Sequence, residues 1–197
     1  MELLLLARHG QSQLNVRDIV NGDPSRDPGL SELGIAQAGA LGYQLASVAL
    51  DLCFTSRFPR AQETAHLALG DRPVPRVVDE GLDDIRIGDL EGRTLADYRA
   101  WKRGRTRADR FPGGESLDEA AQRYAAAFER LLERPEAAIL CVCHEIPVRY
   151  AVNAAGGSLQ LDGPLHDVPN AEPYVFDAPG LRRAVDGIRA LSAPATR

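Results

Sequence analysis

Cysteine is scarce in this sequence. Three residues in a chain of 197 form an odd number that builds no disulfide framework, so a reducing cytoplasm is the expected setting. Long apolar runs are missing too. The leucine run after Met1 is too short for a signal peptide, and Glu2 stands where a basic n-region would be needed. No later run approaches the length of a membrane span. Basic residues are not in excess: 23 Lys and Arg against 28 Asp and Glu give a net charge of −5, which argues against nucleic acid or an anionic membrane as a partner. Repeats and low-complexity linkers are absent, and nothing in the pattern speaks to oligomeric state. What is left, 44% hydrophobic and 26% charged, reads as one globular domain over 1–197 with a substantial core.

Short apolar runs supply its strands. "LLLLA" in residues 2–7, "DLCFTS", "VPRVVDE" and "AAILCVCH" are candidates, with "EPYVFDA" and "RRAVDGI" as late additions. Helical patterns fall between them. Ser31 precedes an apolar face of Ile35, Ala38, Leu41, Gly42 and Leu45, and Pro59 suits a first turn. Thr94 with Asp97 starts another helix, Ser116 with Glu119 forms a capping box for one reaching about residue 133, and Pro147 opens a fourth. Strand–helix alternation predicts an α/β fold, a three-layer sandwich with a mainly parallel central sheet flanked by helices.

In such sheets ligands bind beyond the carboxyl ends of the strands. Those exits carry Arg8-His9, the stretch Ser56 to Arg60, Asp83-Asp84 and His144. In "ARHGQSQLN", Gly10 would let a ligand approach the backbone, while Gln11, Ser12 and Asn15 supply polar groups at a loop-to-helix start. Arg60, one turn into a helix, can reach an anion bidentately; Arg57 reads as a solvent-facing helix residue. Cys141, Cys143 and His144 invite zinc, but strand alternation sends 141 and 143 to one face and 144 to the other. His144 beside a helix N-terminus fits an anion better.

Taken together, these segments resemble the histidine phosphatase superfamily, in its phosphoglycerate-mutase-like branch. The likeness runs through "RHGQSQLN", "NGDPSRDPGLSELGIAQA", "SRFPRAQETA", "LDDIRIGDLEG", "PGGES" at 112–116 and "VCHE". It implies a histidine acid phosphatase-type phosphomonoesterase acting on a small phosphorylated substrate, with no cofactor and no metal. His9 would be the nucleophile, forming a phosphohistidine. Arg8, Arg60 and His144 would surround the phosphoryl oxygens, and Asn15 with the Asn21-Gly22 turn would add neutral donors. Asp84 stands where the family usually places a glutamate acid, with Asp83 an alternative donor. Glu145 stands where the family usually has glycine.

Three other readings compete. One is a phosphoglycerate mutase, which the short stretch between the acid motif and "PGGES" disfavours. The second is a catalytically weakened phospholigand-binding homologue, suggested by Asp84 and Glu145, and the poorest is a metallohydrolase. Residues 93–115 form a possible lid. Arg99, Lys102, Arg103, Arg105, Arg107 and Arg110 crowd that segment, either to meet a second anionic group or simply as a solvated helix end.

Overall fold

A computed structural model describes residues 1–193; the last four positions of the expected 1–197 domain lie outside the described residues. Within them one sheet is built from β1 (Leu3–Arg8), β2 (Leu52–Thr55), β3 (Arg76–Val78), β4 (Ala138–Cys143) and β5 (Pro173–Asp177). Its order is β3-β2-β4-β1-β5, with every neighbour parallel except β5, which runs antiparallel along the edge beside β1. The helices are α1 (Gln13–Val16), α2 (Glu32–Gln44), α3 (Pro59–Leu69), α4 (Leu95–Lys102), α5 (Leu117–Leu132), α6 (Glu145–Ala155) and α7 (Ala178–Leu191).

The central strands are apolar on both faces because both faces are covered. Leu5, Ala7, Cys53, Leu140 and Val142 pack with α2 and α3 residues such as Leu41, Ala61 and Ala65. Their strand neighbours Leu4, Leu6, Phe54, Ile139 and Cys141 point the other way, into a cluster with α5, α6 and α7. The fold is therefore the expected three-layer α/β sandwich. Cys141 and Cys143 share that second cluster as buried free thiols.

Three local expectations change. "RRAVDGI" is helix, not strand: Leu181, Ala184, Val185 and Ile188 recur at helical spacing and are buried, and Asp177 caps the helix by accepting from Gly180 N at 2.7 Å. The helix expected at Pro147 begins at Glu145 with His144 as its N-cap, leaving Pro147 in a first turn that needs no N–H. Ile35 is 51% exposed, so the buried face of α2 is carried by Gly34, Ala38 and Leu41. The caps at Ser31, Thr94 and Ser116 and the start at Pro59 all fall where the pattern places them.

Candidate active site

Register sets the site. Arg8 pairs with Cys143 across β1 and β4, so the next residues, His9 and His144, leave the sheet side by side with ring centroids 5.3 Å apart. His9 is pinned from three directions. Its N–H donates to Cys143 O at 2.9 Å, its carbonyl accepts from Asn170 Nδ2 at 2.7 Å, and the following Gly10 N donates to Thr64 Oγ1 at 2.9 Å. Its ring Nδ1 lies 2.6 Å from Gly10 O, which places the proton on Nδ1 and leaves a lone pair on Nε2. Burial lowers the His9 pKa well below the usual value, and the charges of Arg60 and Arg8 lower it further. Both effects favour the neutral ring.

Arg60 is the hub. Its Nε donates to His9 Nε2 at 3.0 Å, NH1 to Asn21 Oδ1 at 2.6 Å, and NH2 to Asp84 Oδ2 at 3.0 Å and towards His144 Nδ1 at 3.2 Å. Its guanidinium rests on Phe58, 4.2 Å from the ring centroid, and its backbone N–H donates to the buried Asp27 at 2.9 Å. The fork holds His9, Asp84 and His144 at once, which a lysine could not do. His144 is fully buried behind it. Its Nε2 contacts Ser56 Oγ at 2.8 Å, and burial, then Arg60, lower its pKa well below the usual range. Beside the Arg60 guanidinium and out of contact with solvent, the neutral form of the ring is favoured.

The two adjacent aspartates separate cleanly. Asp84 lines the cavity, and burial raises its pKa while Arg60 pulls it back. Asp83 faces away and is consumed by Arg57, accepting from its backbone N at 2.9 Å and its Nε at 2.7 Å. Arg57 faces solvent as expected, but it lies before α3 and not on the helix, and it clamps Asp83. Arg123, which the sequence does not single out, donates to the carbonyls of Gly81 (3.1 Å) and Asp83 (2.8 Å) and to Glu115 Oε1 (2.5 Å), shaping the loop that presents Asp84.

A cavity of about 490 Å³ opens at this end of the sheet, lined by Arg8, His9, Ser12, Asn15, Asn21, Arg60, Asp84 and Glu145, and also by Tyr98, Arg99, Lys102 and Arg149. Three expected ligand contacts are spent elsewhere. Both Asn21 Nδ2 bonds go to Asp23 O (2.8 Å) and Glu91 Oε1 (2.7 Å), so Asn21 serves as an acceptor for Arg60. Gly22 N donates to Glu91 Oε2 at 2.7 Å. Gln11 turns to α2, its Oε1 accepting from Ser31 Oγ at 2.8 Å. Ser12 and Asn15 face the cavity while capping α1 reciprocally. Gly10 also changes meaning: a Cβ there would sit 2.5 Å from Gly34 O, so the glycine admits helix α2, not a ligand.

Arg8 is partly engaged. NH1 donates to Val168 O at 2.8 Å and lies 3.1 Å from Glu145 Oε2. Of the basic residues around α4, Arg107 is tied to Asp118 (2.9 Å) and Asp162 (2.5 Å), Arg110 to Glu119 (2.7 Å), and Arg105 stacks on Trp101 at 4.6 Å. Arg99 and Lys102 line the cavity. Asn170, Val168, Thr64 and Arg123 escape sequence reasoning because their partners are far away in the chain. Only Ser56, at a strand exit, carried a positional signal.

Against known proteins, the family model described as histidine phosphatase superfamily (branch 1) matches residues 4–189. A 2,3-bisphosphoglycerate-dependent phosphoglycerate mutase of Methylobacterium radiotolerans is 34% identical over 191 residues, covering 88% of this chain and 88% of that one. Another, from Methylobacterium sp. strain 4-46, is 42% identical over 133 residues, but the match spans 61% of this chain and 63% of the relative, less than two thirds of its length. Among solved structures, an alpha-ribazole phosphatase from Shigella flexneri superposes with a TM-score of 0.78 at 30% identity, covering 89% of this chain and 90% of that one. A mycobacterial glucosyl-3-phosphoglycerate phosphatase gives 0.64 at 28% identity over 78% of each.

Proposed function

The chain belongs to the histidine phosphatase superfamily, and from that premise we propose that it is a phosphatase that hydrolyses small phosphomonoesters without a metal, through a phosphohistidine on His9. One observation carries the reading: a neutral imidazole whose Nδ1 proton is held by Gly10 O and whose Nε2 lone pair meets the guanidinium of Arg60 at the cavity wall. When a phosphate monoester enters, its oxygens replace His9 Nε2 as the acceptor for Arg60 Nε and take donors from Arg8. His9 Nε2 then attacks phosphorus while the bond to the ester oxygen breaks, and protonated Asp84 gives its proton to the departing alkoxide. In the second half, water attacks the phosphohistidine, the Asp84 carboxylate accepts its proton, and inorganic phosphate leaves a neutral His9. Arg8 and Arg60 stabilise the equatorial charge, and His144 backs Arg60.

Hydrolysis is favoured over mutase activity by the short connection between Asp84 and Pro112, which holds a 3-10 turn at Gly88–Leu90, one eight-residue α-helix, α4, and loops. The sequence relatives named as mutases keep the second reading alive. Arg99 and Lys102 in the cavity lining favour an anionic group on the leaving alcohol. The buried free thiols suit a reducing cytoplasm, and the charge of −5 suits a small-molecule partner. The test quenches turnover of a labelled monoester in alkali, where phosphohistidine survives, and maps the label. We expect it on the His9 peptide, with His9→Ala inactive. A run with 3-phosphoglycerate, with and without 2,3-bisphosphoglycerate, should release free phosphate in both cases. Primer-dependent formation of 2-phosphoglycerate outrunning phosphate release would make the protein a mutase.

A further inference from the structure

Glu145 is an acidic side chain in a cavity that must take an anion. It is the first residue of α6, directly after His144, and it lines the cavity. The structure shows how it is tolerated. Its carboxylate spans two arginines, with Oε2 3.1 Å from Arg8 NH1 and Oε1 3.2 Å from Arg149 NH1. Arg149 is itself fixed by Asp162, 3.0 Å from its NH2, and by donating to His166 O at 3.1 Å. Arg8 has its other NH1 contact on Val168 O, and its buried Nε has no partner among the described residues. The guanidinium that flanks the nucleophile is thus already shared with a tethered anion.

A carboxylate and a phosphate make the same demand on a guanidinium fork, so they compete for it. Tethering fixes the internal competitor's effective concentration, so it raises the apparent Kd and KM by a constant factor. Arg149 gives the displaced carboxylate somewhere to stay, so the exchange needs no buried charge left unpaired. We propose that Glu145 is an internal competitor for Arg8 that weakens the pocket's grip on phosphate and so speeds release of the inorganic product. This rests on the phosphatase reading above. A simpler role is local: an acid in a helix first turn paired with an arginine four residues on stabilises the helix end. That role would leave phosphate affinity unmoved.

The experiment measures inhibition by inorganic phosphate and orthovanadate, with KM and kcat on p-nitrophenyl phosphate, in Glu145→Gln and Glu145→Gly. Thermal melts check folding, and Asp167→Asn controls for loss of a cavity-lining carboxylate that holds no arginine in this network. We expect Ki for phosphate and KM to fall together by about tenfold in both Glu145 variants, with kcat unchanged or lower, and by less than about twofold in the control. Unchanged or weaker phosphate binding in the folded variants would overturn the proposal. An equal gain in Asp167→Asn would also overturn it, by showing a general field effect. Calorimetric titration with inorganic phosphate reads the same affinity without turnover. A chain that hydrolyses no ester but still tightens on phosphate in Glu145→Gln would refute the phosphatase reading and spare the competitor.

Discussion

Replacing Asp84 by asparagine isolates the proton that the leaving group needs. Asparagine keeps the shape of the side chain and can still accept from Arg60 NH2, 3.0 Å away in the wild type, but it has no proton to give. General acid catalysis contributes about 10²–10⁴-fold where the leaving group is a poor one. An alkyl phosphate such as glycerol phosphate should therefore lose about that factor in kcat/KM, or about 3–5 kcal/mol of transition-state stabilisation. An aryl phosphate, whose phenolate leaves without help, should lose less than about tenfold. The pH profile adds a second readout. Burial raises the Asp84 pKa, so the protonated form persists above the usual carboxylate range, and alkyl-ester activity should fall as pH rises through that raised value. Asp84→Asn should lose that limb. Stability should follow the same direction: a carboxyl whose folded pKa is raised favours folding most below its unfolded pKa, and that advantage disappears as pH rises through the folded one. At neutral pH the permanently neutral asparagine should then melt no lower than wild type. Asp83→Asn is the internal contrast. It should cost about 1–3 kcal/mol of stability through the Arg57 clamp, a figure held down by the half-exposed arginine, and leave the alkyl-to-aryl ratio intact. Equal losses on both esters in Asp84→Asn would refute the reasoning. So would a loss of discrimination in Asp83→Asn alone.

Arg60→Ala should cost about 2–4 kcal/mol in kcat/KM, as removal of an oxyanion donor does, and Arg60→Lys should melt closer to wild type yet recover little activity, because one ammonium cannot hold Asn21, Asp84 and both histidines together. Steady-state kinetics beside thermal melts reads both outcomes. Acid should destabilise the protein early. His9 and His144 are buried with pKa values driven well down, so below about pH 6.5 the unfolded chain binds protons that the folded one refuses. Stability should drop by about 1.4 kcal/mol per pH unit for each histidine until its folded pKa is reached, and denaturant titrations of His144→Gln at pH 5–7 should show a shallower slope than wild type.

The sequence by itself determined whatever depends on neighbours a few residues apart. Apolar runs marked the central strands, and hydroxyl caps at Ser31, Thr94 and Ser116 marked helix starts, because cap geometry is satisfied within three residues. The rule that strand exits hold the site then picked out Arg8, His9, Arg60, Asp84 and His144. The helix at "RRAVDGI" is local in the same sense, because Leu181, Ala184, Val185 and Ile188 recur at helical and not strand spacing.

Tertiary structure decided everything that depends on register and closure. Only the β1–β4 pairing sets His9 beside His144, and only the clamp from Arg57 turns Asp83 away so that Asp84 meets the cavity. The contacts holding Arg8 and His9 come from Val168 and Asn170, about 160 residues distant, which no spacing rule reaches. Gly10 looked like room for a ligand and proved to be room for a helix. Glu145 looked like a defect until Arg8 and Arg149 closed around it, since a charge is costly or tolerable according to the partners that folding brings within 4 Å.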